Sequence, residues 1–487
     1  MKMDARRFRH NASLSLRDER LQRVLRKACD EVLEKRAAIV AETPHWQALR
    51  EAANRIKAHV LANLDRYLLQ LERNLQSNGV KVHWARDAEE ALTEILEIAR
   101  RHRVQIAVKS KSMTSEEVGL NDFLEERKIQ PVETDLGEYI QQLSGEPPFH
   151  IVTPAMHRSR QDVGRIFAEK LGTEYTEDPE ELTQIARKTL RREFLRAEMG
   201  ISGANFAVAD RGLIVIVENE GNVRLTTTAP KVHVALLGIE KVVPTLQELR
   251  VFLNLLSISS TAQRLPCYVN LIRAPRREGD GDGPEEVHVI LLDNGRTDIL
   301  ADDDMLTALY CIRCGACLNA CPVFQRAGGH AYGWAYQGPI GSILTPLYRG
   351  LEIGYQLPFA SSLCGACTEI CPVAIEIDHM LLGLRSRAQR ELSVGGFYER
   401  ATFRLWAFAA SRPLVYRIGE RLLRLVQRLF LPGAKELPVP SWSRTRSFPR
   451  LARRSFHSRW NRLAKALQKE TAAATAGASP RSENSED

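Results

Sequence analysis

Over the first 78 residues, apolar positions recur every three or four residues. Leu21, Val24, Leu25 and Ala28 share one helical face, and Leu61, Leu64, Leu68 and Leu71 share another. This spacing predicts helix over 15–78, with Pro44 separating two arms because proline lacks the amide donor a helix interior needs. From Val80 the period changes. VKVHWA alternates as a short strand, DAEEALTEILEIARRH returns to helical spacing with Asp87 placed to cap it, and VQIAVKS reads as a buried strand. Thr114 and Glu117 fit a capping box opening a helix through Leu124. IQPVET, LGEYIQQL and HIVTPA then read strand, helix, strand, and longer helices are expected near 159–171 and 180–198. Strands alternating with helices imply βαβ units and a mostly parallel sheet.

Beyond residue 200 the pattern turns strand-rich, with ANFAVAD, GLIVIVEN, NVRLTT, KVHVALLG and EKVVP all expected as strands and 246–258 as helix. CYVNLIRAP and EVHVILLDNG close this region around the turn-forming loop REGDGDGPEE. The expected organisation is α/β: a helical segment at 1–79, a mixed, mostly parallel sheet domain at 80–298, a mainly helical cysteine-bearing domain at 299–395, a basic helical extension at 396–470 and a disordered polar tail at 471–487.

Charge sharpens this picture. The chain carries a net +8, but from residue 395 onward there are 18 Lys/Arg against 7 Asp/Glu, so the remainder is net −3. The basicity belongs to the C-terminal extension, which argues against a nucleic-acid-binding core. Within it, Leu414, Ile418, Leu422, Leu425 and Leu429 share a face over 414–431, flanked by Arg417, Arg421, Arg424 and Arg428. Such a helix packs on its own protein, docks on an acidic partner surface, or lies peripherally on the inner face of an anionic membrane. The N-terminus has no apolar signal region and no run of 18 apolar residues occurs, so neither a secretory signal nor a transmembrane helix is expected.

Seven of the nine cysteines fall between 311 and 371. CIRCGACLNACP is C-x2-C-x2-C-x3-C-P, the bacterial iron–sulfur spacing, in which the fourth cysteine serves the other cluster. Cys311, Cys314 and Cys317 would take Cys371 as fourth ligand of a [4Fe–4S] cluster, while Cys321, Cys364 and Cys367 form a second set one thiolate short. That second site suits a [3Fe–4S] cluster, or a [4Fe–4S] cluster with a non-cysteine ligand. Ser361 and Ser362 are candidates by position. Pro322 and Pro372 each end a loop. Zinc and disulfide readings fit poorly, because structural zinc uses four ligands per ion and no secretory signal is present. Thiolate-bound clusters call for a reducing compartment, so the cytoplasm is expected. The Gly- and aromatic-rich AGGHAYGWAYQGPIGS in the 322–363 spacer reads either as chain folded closely over clusters or as a plain surface loop. Cys29 and Cys267 lack cluster spacing and read as ordinary thiols.

Two stretches of the α/β region invite chemistry. Lys109, Ser110, Lys111 and Ser112 lie where a strand ends before a helix, a position suited to an anion. Asp210, Glu218, Glu220 and Asn222 sit at turns where a carboxylate could act as nucleophile or base, against a reading as ordinary turn residues, and Glu133, Asp135 and Glu138 are similarly open. No G-x-G-x-x-G follows a strand, so no flavin or nicotinamide site is indicated.

VHWARDAEEA, VKSKSM, ETDLGEYIQQL, HIVTPAMH and SGANFAVAD, joined to CIRCGACLNACPV, resemble lactate utilisation protein B over nearly the whole chain. The resemblance implies an iron–sulfur subunit of a three-protein system oxidising L-lactate to pyruvate, with a cysteine-rich A-type partner and a C-type α/β partner. It implies an α/β domain similar to the ribose-phosphate isomerase and CoA-transferase group, and a second cluster with three cysteine ligands. The alternatives are a membrane-associated, quinone-linked iron–sulfur adaptor of another dehydrogenase and a self-sufficient α/β enzyme.

Overall fold

The alternation closes into a six-stranded parallel sheet in the computed structural model, which describes residues 4–394, 396–431, 436–438, 443, 446–452 and 454–476. The strands are β1 (Lys81–Ala85), β2 (Ile106–Lys109), β3 (Gln130–Glu133), β4 (Met199–Gly203), β5 (Phe206–Val208), β6 (Leu213–Glu218), β7 (Val232–Gly238), β8 (Val242–Val243), β9 (Tyr268–Ile272) and β10 (Glu286–Leu292). The large sheet runs β1-β10-β7-β4-β2-β3, and a four-stranded sheet runs β8-β5-β6-β9. β4 and β7 are buried at every residue, and β10 at all but its first. Their near-continuous apolar runs, rather than alternation, are what a parallel sheet covered on both faces requires. Helix Ala88–Arg101 covers one face, setting Ile95 and Ile98 against Ile201, Val234 and Ile290, and Asp87 caps it by accepting from the Glu90 amide.

The N-terminal segment forms helices Phe8–Ser15, Glu19–Ala41, Trp46–Leu61 and Leu64–Ser77, with Pro44 between the second and third. They belong to the same compact unit, Met1–Leu392, as both sheets and all seven motif cysteines. Leu25, Leu71 and Leu75 are fully buried in one core with β5, β6 and the cysteine loops.

Three expected elements differ. The helix after β2 is capped by Ser112, whose hydroxyl accepts from the Ser115 amide, and it breaks at Gly119 into Met113–Val118 and Leu120–Glu125. Thr114 lies inside the first piece, and Glu117 is buried against Arg296 instead of capping. NVRLTT is not a strand but helix Asn222–Thr228, because Glu218 at the end of β6 accepts from the amides of Val223 and Arg224 and starts a turn that β-branched composition disfavours. HIVTPA is irregular: the His150 Nδ1 accepts from the amides of Val152 and Thr153, which are then not free for a ladder, and Pro154 has no amide to donate.

The Gly- and aromatic-rich spacer is closely packed, which excludes a plain surface loop. Tyr332 and Tyr336 are buried, and a Cβ on Gly329 would lie 1.6 Å from the Phe149 carbonyl oxygen.

The second unit, Ser393–Asp487, contains helices Phe397–Ala410, Pro413–Phe430 and Phe456–Ala476. The last helix passes the expected boundary at 470, and 477–487 lie outside the described residues. On Pro413–Phe430, Leu414, Ile418, Leu422, Leu425 and Leu429 are all exposed. No helix among the described residues is long and apolar enough to cross a membrane.

Candidate metal centre

The two cysteine motifs fold the same way. In each, a CGAC sequence turns through a left-handed glycine, Gly315 at φ +73° and Gly365 at φ +80°, into a five-residue helix, Ala316–Ala320 or Ala366–Ile370. The second residue of each helix is a cysteine, Cys317 or Cys367. The residue after the helix, Cys321 or Cys371, turns out in extended conformation just before its proline. The two short helices pack on each other, so each motif's last cysteine is carried toward the other motif's loop.

Cys311, Cys314, Cys317 and Cys371 line one cavity, walled by Ile312, Ile340, Val373, Ile375 and Ile377. Amides point at the sulfurs, with Arg313 N–H donating to Cys311 Sγ at 3.4 Å and Ile375 N–H to Cys371 Sγ at 3.5 Å. Burial pushes the Cys314 thiol up to about 12 and that of Cys371 to about 11, and Cys317 rises further, each raised again by its neighbours in this set. Four sulfurs converging on one dry cavity, where burial disfavours bare thiolates, fit a cationic group that takes them as thiolates and supplies the missing charge. Cys321, Cys364 and Cys367 form the second set: Cys364 acts on Cys321, and Cys321 on Cys367, whose thiol burial pushes to about 12. Cys364 is exposed, and the Ala366 amide and Ser362 hydroxyl hold its thiol below the usual range. Ser361 accepts from the Leu363 amide at 3.1 Å, within the turn.

Sequence reasoning missed the cations around the first set. Arg50 Nε donates to the Cys371 carbonyl at 2.8 Å and Arg36 Nη2 to that of Ile370 at 3.0 Å, both reaching across from N-terminal helices more than 300 residues away in sequence. Buried Lys57 bonds the Glu240 carbonyl. Cys29 is buried, with its thiol 3.7 Å from Asn319 Oδ1 and beside Cys321, while Cys267 is exposed. Only the x-x positions inside CIRC hinted at any of this, through Arg313.

Lys109, Ser110, Lys111, Ser112, Glu133, Asp135 and Glu138 lie at or just beyond the carboxyl ends of β2 and β3, and Glu220 and Asn222 join them, whereas Asp210 and Glu218 belong to the ends of β5 and β6 in the second sheet. Lys109 does not face an open anion site. Its ammonium is fully buried, 2.8 Å from Glu133, 2.9 Å from Glu116 and 3.9 Å from Glu138, with Ser115 Oγ at 3.0 Å. Ser110 Oγ is buried without a hydrogen bond, Lys111 Nζ donates to the Ile151 carbonyl at 2.7 Å, and Ser112 is the cap. Asp135 caps helix Leu136–Ser144, and Glu220 accepts from the Leu136 amide at 3.0 Å. Burial and Asp135 push the Glu220 carboxyl up to about 7. Asn222 donates to Thr134 Oγ1, Glu218 is committed to the helix it starts, and Asp210 pairs with Arg211 at 3.4 Å. Glu116, Glu133, Glu138, Trp334, Gln337 and Arg349 line a cavity of about 720 Å³ between this end of the sheet and the cysteine spacer.

Three family patterns match in order: the LUD domain over residues 68–292, the 4Fe-4S dicluster domain over 307–375, and the lactate utilisation protein B C-terminal region over 393–465. An uncharacterized electron transport protein YkgF of Escherichia coli is 39% identical over 95% of this chain and 98% of its own. Lactate utilization protein B of Bacillus cytotoxicus is 39% identical over 94% of this chain and 97% of its own. That of Bacillus licheniformis is 39% identical over 92% and 95%. A DUF162 family protein of known structure from Deinococcus radiodurans matches over 47% of this chain and 98% of its own at 13% identity and a TM-score of 0.27. With the dicluster cysteines, the α/β domain and the C-terminal region matched along nearly its full length, the chain belongs to the lactate utilisation protein B family.

Proposed function

We propose that this chain is the iron–sulfur electron-transfer subunit of a multi-protein system that oxidises L-lactate to pyruvate. The observation that carries this reading is the sorting of seven cysteines into a set of four around one cavity, three of them buried, and a set of three of which Cys364 is exposed. Cys311, Cys314, Cys317 and Cys371 would hold a [4Fe–4S] cluster. Cys321, Cys364 and Cys367 would hold a second, [4Fe–4S] or [3Fe–4S]. Bound clusters supply one-electron storage at potentials set by their surroundings. The chain's own residues exclude water with Ile312, Ile340 and Val373, and direct amides at the sulfurs. They also leave Cys364 at the surface, where a partner can approach. Family membership supports partners of the cysteine-rich A type and the α/β C type. The exposed apolar face of Pro413–Phe430, beside its arginines, favours docking by the C-terminal unit, and it also keeps open the quinone-linked reading with peripheral membrane contact.

Anaerobically purified chain should contain about seven to eight iron atoms and two cluster signals by EPR, falling to one signal in Cys314→Ser and in Cys367→Ser. Lactate should reduce the clusters only when the partner proteins are added. Stoichiometric zinc without iron refutes the cluster assignment, and lactate turnover by the chain alone refutes the electron-carrier role in favour of an α/β enzyme.

A further inference from the structure

The charges around the two cysteine sets are unequal. Facing the four-cysteine set are Arg36, which bears on Cys314 and Cys371, Arg50 on Cys371, and Arg313 and Lys57 on Cys311. Facing the three-cysteine set is a carboxylate, Asp378, which bears on Cys364 and Cys367 and accepts from the Thr368 hydroxyl at 2.5 Å.

Arg313 is the most telling of these residues. It occupies the loop between Cys311 and Cys314 in a left-handed conformation, φ +59°. Its side chain is 8% exposed, lies 4.6 Å from the centre of the Tyr336 ring, and makes no hydrogen bond through any of its three guanidinium nitrogens. Its nearest carboxylate oxygen is Glu240 Oε1, 3.6 Å away and beyond hydrogen-bond reach, and the other oxygen of that group is bonded by Arg296 at 2.5 Å, so two arginines share one carboxylate. Around it Arg296, Arg313, Lys57 and Lys241 outnumber Glu117 and Glu240 by two charges. A buried cation without a full partner is costly unless an anion lies close by. Four thiolates with a cluster are such an anion, and adding an electron makes them more negative.

We propose that this buried cationic shell sets the order of the two clusters: the four-cysteine set has the higher potential, and an electron shared between the sets rests there. This rests on the iron–sulfur reading above. One electron leaves the three-cysteine set and enters the four-cysteine set; no bond forms and no proton moves. The exposed Cys364 side is then the point of entry, and the N-terminal helices, through Arg36, Arg50 and Lys57, determine where the electron settles.

The test is a potentiometric titration followed by EPR on the full chain carrying both clusters, with signals assigned from Cys367→Ser, which retains only the four-cysteine cluster. In the parent chain that cluster should reduce first. Arg313→Met should lower its potential by at least a tenfold shift in the reduction equilibrium, about 59 mV for one electron, and leave the other cluster unmoved. Arg313→Lys, under the same backbone constraint, should restore most of the shift. Arg50→Gln, at the edge of the shell, should give a smaller shift of the same sign, and it decides the matter if Arg313→Met fails to assemble. Iron content and two signals at parental levels with unmoved potentials overturn the proposal while leaving the cluster reading intact. Reduction of the three-cysteine cluster first also overturns it, and absence of both clusters overturns the reading beneath it.

Discussion

Replacing Arg296 by methionine keeps a long apolar stem but removes the charge that joins three parts of the first unit. Its guanidinium is fully buried. It holds both oxygens of Glu117, at 2.9 and 3.0 Å, and Glu240 at 2.5 Å, and Glu117 in turn accepts from the Tyr336 hydroxyl of the spacer at 2.6 Å. Without the arginine, two carboxylates are left deep in the protein. Breaking a buried pair costs about 3–5 kcal/mol; Glu117 loses its ion pair outright, while Glu240 keeps Arg313 at 3.6 Å, so the whole of that range applies. At about 2 °C per kcal/mol for a large domain, the melting midpoint of anaerobic protein should fall by about 6–10 °C. The loss should depend on pH with a definite sign. In the parent, Arg296 helps hold the Glu240 carboxyl at about 2 against an ordinary 4.5, so this contribution is complete above 4.5 and is lost as pH falls toward 2. In the variant, burial dominates at Glu117, which has lost its cation, and favours the protonated acid, so lowering the pH relieves the strain. The gap between parent and variant should therefore be widest near neutrality and narrow below about pH 5. Adding Glu117→Gln to the variant should recover part of the loss. A midpoint within 2 °C of the parent, or a gap unchanged between pH 7 and 4, would falsify this account.

Two further outcomes follow from other contacts. Glu218→Ala should cost about 1–2 kcal/mol, as loss of a helix cap does, and Glu218→Gln less, measured by denaturant midpoint; equal losses would mean the carboxylate's bonds to Val223 and Arg224 are immaterial. Ending the chain after Ser393 should leave both clusters assembled, since every proposed ligand lies upstream, but weaken partner capture in a salt-dependent way. Undiminished capture refutes docking through the C-terminal unit, and flotation of the intact chain with anionic liposomes points to the membrane instead.

The parts that could be read from sequence were those whose cause is local. Cysteine spacing, the alternation from Val80 onward and the Asp87 cap each depend on residues within one turn or strand. NVRLTT misled because its β-branched residues speak for a strand, while the deciding carboxylate, Glu218, belongs to the strand before it. HIVTPA misled because nothing in an apolar run reveals that the His150 ring will claim its amides. Lys109 was correctly placed at a strand end, but its three carboxylates come from separate elements, and they turn a basic motif into the centre of an acidic one. Arg36 and Arg50 look like any surface residues of amphipathic helices until the fold brings the cysteine loops to them.

The strand order has a consequence for how the molecule is made. β10, last in the chain, lies between β1 and β7. On a chain emerging from its N-terminus, β1 has no neighbour in the large sheet and β7 keeps an open edge until residues 286–292 are released, while Arg50 waits longer still for Cys371. Contacts so distant in sequence form late and slowly, and unpaired strand edges left open meanwhile are where chains of this size associate wrongly. A fragment that stops before 286 keeps those edges permanently. A cysteine segment produced without the N-terminal helices lacks the wall against which its loops are built. The smallest piece expected to mature cleanly is therefore the whole of Met1–Leu392, and its maturation belongs to the end of synthesis rather than to any stage along it.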